Sequence, residues 1–309
     1  MKKKFWGNKN VFITGINGFV GSSLAAKELE MGNNVIGIVR DINNKTQKDV
    51  LDKFISQCDV IVHLAAVNRH NDPQVIYNTN IDLVKKLIES LNRNNSVAHV
   101  IFSSSTQEDC DNFYGQSKKE GRKLLIDWTK KSGGIFTGLV IPNVFGPFGN
   151  PYYNSVVATF SHQLTHNEKP KIDLDGRLKL IYVGELINEI YRVILDAKGC
   201  PELKLDYTSE IKVSELLEKL NSYKDQYLNN GAIPELNTTF EKNLFNTYRS
   251  YIDYKSFFPY NLKQHVDDRG TFVEIIRTLS SGQVSSSTTK PGLTRGNHFH
   301  TRKIERFTV

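Results

Sequence analysis

The sequence contains 309 residues, 39% of them hydrophobic and 24% charged, with a formal net charge of +7 at pH 7. This length accommodates one domain of about 250 residues with a shorter region beside it, or two modest domains. Because 40 basic residues are interspersed with 33 acidic ones, and because no apolar run reaches about 18 residues, we expect neither a nucleic-acid partner nor a membrane span.

The first 150 residues alternate short apolar runs with segments of helical periodicity. The runs are predicted to be strands and lie at residues 11–15, 35–39, 60–64, 99–102 and 135–141. The predicted helices span residues 19–31, 75–91 and 112–130. Strands that alternate with helices favour βαβ crossovers and a parallel sheet covered on both faces. We therefore predict a Rossmann-type, doubly wound α/β fold.

Beyond residue 150 the pattern changes twice. Residues from about 151 to 255 are mostly helical with Pro and Gly breaks, which predicts a small helical substrate lobe. An aromatic and polar stretch with Pro259 then indicates a linker. The last region has short β-prone segments at 271–278, 283–289 and 295–300, typical of an all-β unit. The predicted division is a nucleotide-binding domain at 8–255, a linker at 256–263 and a β region at 264–309.

A glycine-rich turn, Gly15-Ile16-Asn17-Gly18-Phe19-Val20-Gly21, follows the first predicted strand and opens the first predicted helix. Glycines in this context permit a tight turn and let the backbone approach a pyrophosphate, whose charge meets the free N–H groups and positive dipole end of the helix. The turn predicts a dinucleotide site with cofactor contacts from Gly15, Gly18, Phe19, Val20 and Gly21.

The end of the second predicted strand bears on which dinucleotide binds. An acid there contacts the ribose hydroxyls of NAD, whereas a basic residue accommodates the 2′-phosphate of NADP. This sequence has both, Arg40 followed by Asp41. We favour NADP(H) with Arg40 at its 2′-phosphate. The alternative is that Arg40 is an ordinary surface residue and that NAD binds.

Tyr114 and Lys118 lie one helical turn apart in a predicted helix and share one face. Because a neighbouring ammonium favours ionised tyrosine, we expect Lys118 to lower the pKa of Tyr114 toward neutrality. Ser105 ends the serine triplet after the fourth predicted strand and supplies a hydroxyl for the reacting oxygen. A surface Tyr/Lys pair without a role is the alternative, and the glycine turn in the same chain argues against it.

These segments together resemble the extended short-chain dehydrogenase/reductase superfamily over about residues 8–255. The resemblance rests on residues 11–21, 59–66 (Asp-Val-Ile-Val-His-Leu-Ala-Ala) and 114–118, with Asn80 and Ser105. It implies that Ser105, Tyr114 and Lys118 are catalytic and that the partner is a nucleotide sugar. The further cofactor contacts that it implies are Leu64, Ala65, Ala66, Asn80, Tyr114 and Lys118. The substrate contacts that it implies are Ser105, Asn143 and Asn154.

Two departures from the superfamily pattern bear on function. Ser105 precedes Tyr114 by nine residues, where epimerases usually have a longer segment. Sugar 4,6-dehydratases also carry an Asp-Glu pair directly after the catalytic hydroxyl residue, and this chain has Thr106 and Gln107 there. The second departure argues against dehydration, although the nearby Glu108 and Asp109 keep it open.

The β region carries His298-Phe299-His300 and then Glu305, a spacing that resembles the opening of a cupin. Two imidazoles and a carboxylate are three ligands for an ion such as zinc, whereas most protein cages need a fourth. We therefore expect a truncated cupin fragment with an incomplete metal site of His298, His300 and Glu305 that binds zinc weakly or not at all.

The compact reductase, residues 151–160 and the cupin opening together are similar to one narrow family. It comprises the bifunctional capsular-polysaccharide and O-antigen enzymes that form UDP-2-acetamido-2,6-dideoxy-L-talose, a precursor of UDP-N-acetyl-L-fucosamine. In that family a zinc-holding cupin epimerises C3 of a 4-keto sugar, and the reductase then reduces C4 with NADPH. The resemblance implies this reduction for a UDP-4-keto-6-deoxy-N-acetylhexosamine, with the epimerase step lost.

Two alternatives to this function stay open: an NAD-dependent nucleotide-sugar epimerase, and a non-catalytic dinucleotide sensor or degenerate fragment. The three cysteines, Cys58, Cys110 and Cys200, are odd in number and lack CxxC spacing, so neither a disulfide framework nor a cysteine metal site is indicated. We expect a cytoplasmic protein and, by resemblance, a homodimer.

Overall fold

The computed structural model describes residues 9–38, 45–279, 282–296, 299–301 and 304–308. Within these ranges the strands are β1 (Asn10–Thr14), β2 (Asn34–Ile38), β3 (Val60–His63), β4 (His99–Ser105), β5 (Ile135–Ile141), β6 (Asn143–Phe145), β7 (Arg177–Tyr182), β8 (Cys200–Lys204), β9 (Ser209–Lys212), β10 (Ala232–Ile233), β11 (Gln264–Asp267), β12 (Gly270–Thr278) and β13 (Gly282–Thr289).

The α-helices in the same ranges are α1 (Phe19–Glu30), α2 (Lys45–Ile55), α3 (Pro73–Arg93), α4 (Phe113–Ser132), α5 (Val156–Thr165), α6 (Val183–Asp196), α7 (Val213–Tyr223), α8 (Thr239–Arg249) and α9 (Tyr254–Phe257). A 3₁₀ turn spans Thr106–Asp109, and a π-helical segment spans Lys224–Asn229. None of the described helices combines the length and apolar character needed to cross a bilayer.

A six-stranded parallel sheet, ordered β2-β1-β3-β4-β5-β8, forms the centre of the larger unit. Its central strands are apolar on both faces because helices cover both. In β1, Val11 and Ile13 pack in one cluster with residues of α1 and α6, whereas Phe12 packs on the other face with residues of α2, α3 and α4. Such two-sided burial explains the continuous apolar runs in the sequence. The predicted doubly wound α/β fold is confirmed.

Two elements of this unit were not predicted from the sequence. Helix α2 follows β2, and strand β8 joins the sheet by pairing with β5. The sequence of β8, Cys-Pro-Glu-Leu-Lys, carries no apolar run, because a strand at the sheet edge is half-solvated. Residues 183–204 therefore contribute α6 and β8 to the larger unit, although they lie beyond residue 151.

The smaller lobe combines helices with a three-stranded sheet, β6-β7-β9. Its core packs Phe145 of β6 and Leu180 of β7 against α5, α7 and α8, with Tyr248 fully buried. The lobe's first strand, β6, follows β5 directly, so the chain passes from the carboxyl end of β5 into the lobe at residues 141–145. This crossing places the lobe against the carboxyl ends of the strands.

The C-terminal region is β-structured, as predicted, with β11, β12 and β13 in antiparallel pairs and β10 parallel to β12. The predictions of strands at 271–278 and 283–289 are confirmed. The prediction of a strand at 295–300 is wrong for its described residues, 295, 296, 299 and 300, none of which is in a strand. They follow a turn at residues 291–292, after the chain has left its pairing with β12.

Candidate active site

A cavity of about 470 Å³ opens where the carboxyl ends of β4 and β5 meet the smaller lobe. Parallel α/β sheets commonly bind ligands at this edge, because loops and helix N-termini converge there. The walls come from the glycine turn, the loop after β3, the serine triplet, α4 and the segments 141–144 and 149–155. The predicted residues that line the cavity are Gly15, Gly18, Phe19, Val20, Gly21, Leu64, Ala66, Ser105, Tyr114, Lys118, Asn143 and Asn154.

The glycine turn fits a dinucleotide phosphate. Gly15 has a φ of +73°, and a Cβ there would lie 3.0 Å from the backbone nitrogen of Ala65. A Cβ on Gly21 would lie 2.2 Å from the carbonyl oxygen of Gly15, so only glycine lets α1 approach this closely. No side chain caps α1 at Gly18, and its first turn has no acid. The N-terminal amides of α1 are therefore left for an anion.

The loop after β3 is held from behind by buried polar groups. His63 Nδ1 lies 2.8 Å from Thr14 Oγ1, which also accepts the Ala65 N–H at 3.2 Å. Asn80 accepts the Val67 N–H at 2.7 Å and donates to the Val67 carbonyl at 2.8 Å and to Ser117 Oγ at 3.0 Å.

Neither Ala65 nor Asn80 is among the residues that line the cavity. The buried Asn80 instead ties the loop after β3 to α4. Both are placed to position the predicted cofactor wall, and their direct contact with a cofactor stays a prediction.

Ser105, Tyr114 and Lys118 meet on one wall because a short connection joins β4 to α4. Ser105 ends β4, and its Oγ accepts the Gln107 N–H at 3.2 Å to start the 3₁₀ turn. Helix α4 then begins at the cap Asn112, whose Oδ1 accepts the Gly115 N–H at 2.7 Å. Lys118 Nζ lies 5.6 Å from the centre of the Tyr114 ring. The compact spacing seen in the sequence therefore still brings all three residues to the same cavity.

Burial, rather than attraction between the two residues, sets the proton affinities of Tyr114 and Lys118. Desolvation, with a smaller contribution from Tyr153, raises the pKa of Tyr114 to about 12. Desolvation also lowers the pKa of the Lys118 ammonium to about 7, although Glu108 opposes this effect. The prediction that Lys118 acidifies Tyr114 is wrong for this structure, because both groups lose more solvation than they gain from each other.

Lys118 extends into a buried aromatic environment. Its Nζ lies 5.0 Å from the centre of the Phe102 ring and 3.5 Å from Ser103 Oγ. The His63 ring stacks on Phe102 at 5.8 Å between ring centres. Burial, with a smaller repulsion from Lys118, lowers the pKa of His63 to about 3, so this imidazole is neutral at pH 7. Lys118 thus lies near a histidine that is neutral at pH 7.

Several wall residues were not predicted from the sequence. Asn68, Gln107 and Tyr153 line the cavity, and Asn68 Oδ1 is buried without a partner among the described residues. The proximity of Asn68 to the Leu64–Ala66 motif could have indicated it. Tyr153 directly precedes Asn154, a predicted substrate contact, and that proximity could have indicated it in the same way.

The possibility of a dehydratase acid at Glu108 or Asp109 finds no support in the geometry. Glu108 is buried and accepts hydrogen bonds from Ser104 and from Arg122, whose Nη2 lies 2.6 Å away. Asp109 is exposed. Neither carboxylate lines the cavity.

The remaining predictions concern a cofactor phosphate and a metal. Arg40 and Asp41 lie outside the described residues, and so does His298. His300 Nε2 and Glu305 Oε1 are 3.4 Å apart, so two of the three predicted ligands are adjacent. Among the described residues, no cluster of three or more His, Cys, Asp or Glu side chains could hold a metal ion. The incomplete zinc site stays a prediction.

Comparison with known proteins agrees with this site. Residues 11–202 match the NAD dependent epimerase/dehydratase family, and residues 265–309 match the Polysaccharide biosynthesis C-terminal domain. The chain is 33% identical to a UDP-2-acetamido-2,6-beta-L-arabino-hexul-4-ose reductase of Pseudomonas aeruginosa, over 97% of this chain and 80% of the relative.

Solved structures give the same picture. The capsular polysaccharide assembling protein CapF from Staphylococcus aureus is 33% identical with a TM-score of 0.79, and the alignment covers 94% of this chain and 78% of that one. The Bordetella bronchiseptica enzyme WbmF in complex with NADH, at 18% identity and a TM-score of 0.68 over 81% of this chain and 93% of that one, shares the fold. With the glycine turn and the Tyr114/Lys118 pair in one cavity, this chain belongs to the NAD dependent epimerase/dehydratase family.

Proposed function

We propose that this chain is a nucleotide-sugar reductase that uses NADPH to reduce C4 of a UDP-4-keto-6-deoxy-N-acetylhexosamine. The product would be a precursor of capsular polysaccharide or O-antigen, in the formation of UDP-N-acetyl-L-fucosamine. The observation that carries the proposal is the meeting of Ser105, Tyr114 and Lys118 with the glycine turn in one cavity. The similarity to the Pseudomonas aeruginosa UDP-2-acetamido-2,6-beta-L-arabino-hexul-4-ose reductase supports the substrate class.

Each side chain has a role that follows from its place. The glycine turn and the amides at the start of α1 would hold the pyrophosphate. When bound, the reduced nicotinamide supplies the hydride. Ser105 would hydrogen-bond the ketone oxygen, and Tyr114 would give that oxygen its proton. The Lys118 ammonium, 5.6 Å from the Tyr114 ring centre, would stabilise the tyrosinate left behind.

The test is NADPH oxidation with a UDP-4-keto-6-deoxy-N-acetylhexosamine. We expect turnover by the wild type and a loss of roughly 10²-fold or more in Tyr114→Phe, because general acid catalysis contributes about 10²–10⁴-fold. Cofactor affinity should stay within about threefold, since the phosphate-binding turn is untouched. Unchanged turnover in Tyr114→Phe would refute the catalytic assignment. If the wild type binds NADPH but does not reduce the ketone, the proposed substrate is refuted.

Cofactor choice is a separate part of the proposal. If Arg40 contacts the 2′-phosphate, Arg40→Ala should weaken NADPH binding and leave NADH binding unchanged, because only NADPH carries that phosphate. Equal affinity of the wild type for both cofactors would contradict the preference. An NAD-dependent epimerase is the second candidate, because the matched family includes epimerases. It would interconvert UDP-sugars without consuming NADPH.

The proposal extends to the β region. We propose that residues 264–309 are part of a cupin, and the antiparallel pairing of β11, β12 and β13 and the adjacency of His300 and Glu305 support this. Zinc analysis of purified protein before and after His300→Ala would test whether these residues bind metal. A homodimer is proposed as the assembly, and sedimentation equilibrium would measure it.

A further inference from the structure

Arg69 is an exposed residue that links two segments of the chain that border the cavity. It follows the loop after β3, two residues beyond Val67, which Asn80 holds. Its Nη1 donates to the carbonyl oxygens of Tyr152 at 2.5 Å and Tyr153 at 3.1 Å. These acceptors belong to the pocket-edge segment, which we define as residues 149–155. One guanidinium thus links the predicted cofactor side of the cavity to its predicted substrate side.

Tyr152 holds a backbone conformation that an aromatic residue rarely adopts. Its φ is +58°, in the left-handed region, and the neighbouring Phe148 has a φ of +66°. Such residues persist where surrounding contacts over-determine them, and they are concentrated at functional sites. The conformation of Tyr152 therefore indicates that the contacts around this residue hold it in place.

All polar groups of Tyr152 are engaged. Its N–H donates to Thr159 Oγ1 at 2.9 Å, its carbonyl accepts from Arg69, and its phenol donates to the Glu168 carboxylate. Its ring meets His162 edge-on at 5.5 Å. Three of these contacts come from the smaller lobe and its neighbouring loop, whereas the Arg69 contact comes from across the cavity.

The pocket-edge segment is also fixed at both ends. Tyr251 donates its phenol hydrogen to the Gly149 carbonyl at 2.7 Å, and Ser155 accepts the Ala158 N–H at 3.3 Å to cap α5. Between these ends, Tyr153 and Asn154 line the cavity. Tyr153 lies near enough to Tyr114 to add to the rise in its pKa. The middle of the segment therefore determines which groups face the reacting centre.

We propose that Arg69 is a positioning residue that holds the pocket-edge segment across the cavity and thereby sets the placement of Tyr153 and Asn154 against the sugar. Both hydrogen bonds come from one nitrogen, Nη1, held in a rigid planar guanidinium, so a lysine ammonium on its flexible stem should replace them only in part. This role of Arg69 affects the placement of the substrate, and it does not involve the glycine turn that would bind the cofactor. The inference rests on the proposed reductase function for its kinetic readout.

The experiment compares Arg69→Gln and Arg69→Lys with a matched control, Arg192→Gln, whose exposed side chain pairs with Glu189 on α6 away from the cavity. We expect KM for the 4-keto sugar to rise about tenfold in Arg69→Gln, with partial recovery in Arg69→Lys. The NADPH Kd should change by less than about twofold, and Arg192→Gln should match the wild type.

Hydrogen exchange separates this inference from the proposed function, because it needs no substrate. The Tyr152 amide, which donates to Thr159 Oγ1, should exchange about tenfold faster in Arg69→Gln than in the wild type, whatever sugar the enzyme uses. Unchanged exchange in Arg69→Gln overturns the inference. A parallel loss of NADPH affinity also overturns it, because that result indicates a general structural role. If exchange is faster in Arg69→Gln but the wild type does not turn over the 4-keto sugar, the positioning role of Arg69 is supported and the proposed substrate is refuted.

Discussion

The burial of Lys118 destabilises the folded protein, and replacing this residue should show by how much. The side chain is 2% exposed and its pKa falls from 10.5 to about 7 because burial disfavours the ammonium. Lys118→Met keeps an unbranched side chain of similar length and removes the charge. We expect the variant to lose reductase activity and to be more stable than the wild type, by an amount that depends on pH.

The pH dependence gives the magnitude. Between pH 7 and 10.5 the unfolded chain holds a proton on Lys118 that the folded chain has released, so wild-type stability rises with pH across this window. The pKa difference corresponds to a penalty of roughly 5 kcal/mol at pH 6, which falls to about 2 kcal/mol at pH 9. The gain in Lys118→Met should therefore be about 3 kcal/mol larger at pH 6. Packing changes act equally at both pH values and cancel in this difference.

Urea unfolding of wild type and variant at pH 6 and pH 9 measures this difference. Lys119→Met is the matched control, because Lys119 is the next residue on α4 and its side chain is exposed. The control should change the free energy of unfolding by the same amount at both pH values. If the gain in Lys118→Met were equally independent of pH, the burial of a titrating ammonium at this position would be refuted.

Three further predictions follow from local geometry. Gly115→Ala places a Cβ 1.9 Å from the Gln107 carbonyl oxygen, and it should destabilise the protein by about 1–3 kcal/mol in urea unfolding. Gly176→Ala, where nothing lies within 4 Å, should be near neutral, and equal effects would contradict the packing argument. The pKa of His63 is about 3 in the folded protein. Between pH 6.5 and 3 the unfolded state therefore binds a proton at His63 that the folded state does not bind, so the free energy of unfolding decreases as the pH falls. His63→Phe should reduce this slope by about 1.4 kcal/mol per pH unit, and an unchanged slope would contradict it. Finally, kcat/KM for the 4-keto sugar should decline above pH 7 as free Lys118 loses its proton, and a flat profile from pH 6 to 9 would show that the ammonium is not required.

The sequence predicted the sheet centre well because burial leaves a strong pattern. Strands β1, β3, β4 and β5 bury apolar residues on both faces of the sheet, so each contains a continuous apolar run. Strand β8 leaves no such pattern, because its identity depends on pairing with β5 rather than on its own composition. Helix α2 was also missed. Local sequence therefore predicted the strongly apolar strands better than the elements with a weaker apolar pattern.

The site divides in the same way. Residues within one turn or motif, such as Gly15–Gly21 and the Tyr114/Lys118 pair, follow from local spacing and line the cavity as predicted. The contact of Arg69 with Tyr152 joins residues 83 positions apart, and no local pattern indicates it. The proton affinities of Tyr114 and Lys118 were predicted wrongly for a different reason. Proximity in sequence indicated attraction between Lys118 and Tyr114, but the desolvation of each depends on the whole wall around it.

The burial of Tyr114 also bears on whether this residue starts the reaction as an acid or as a base. A tyrosine whose pKa is about 12 is ionised in roughly one molecule in 10⁵ at pH 7, so Tyr114 starts as a proton donor. Ketone reduction needs this form at once, because the new alkoxide must be protonated. An epimerase that begins by oxidising an alcohol needs the tyrosinate first, and here that form is disfavoured by several kcal/mol. Burial therefore leaves Tyr114 in the protonated form with which ketone reduction begins, and this is the form that the proposed reductase would use.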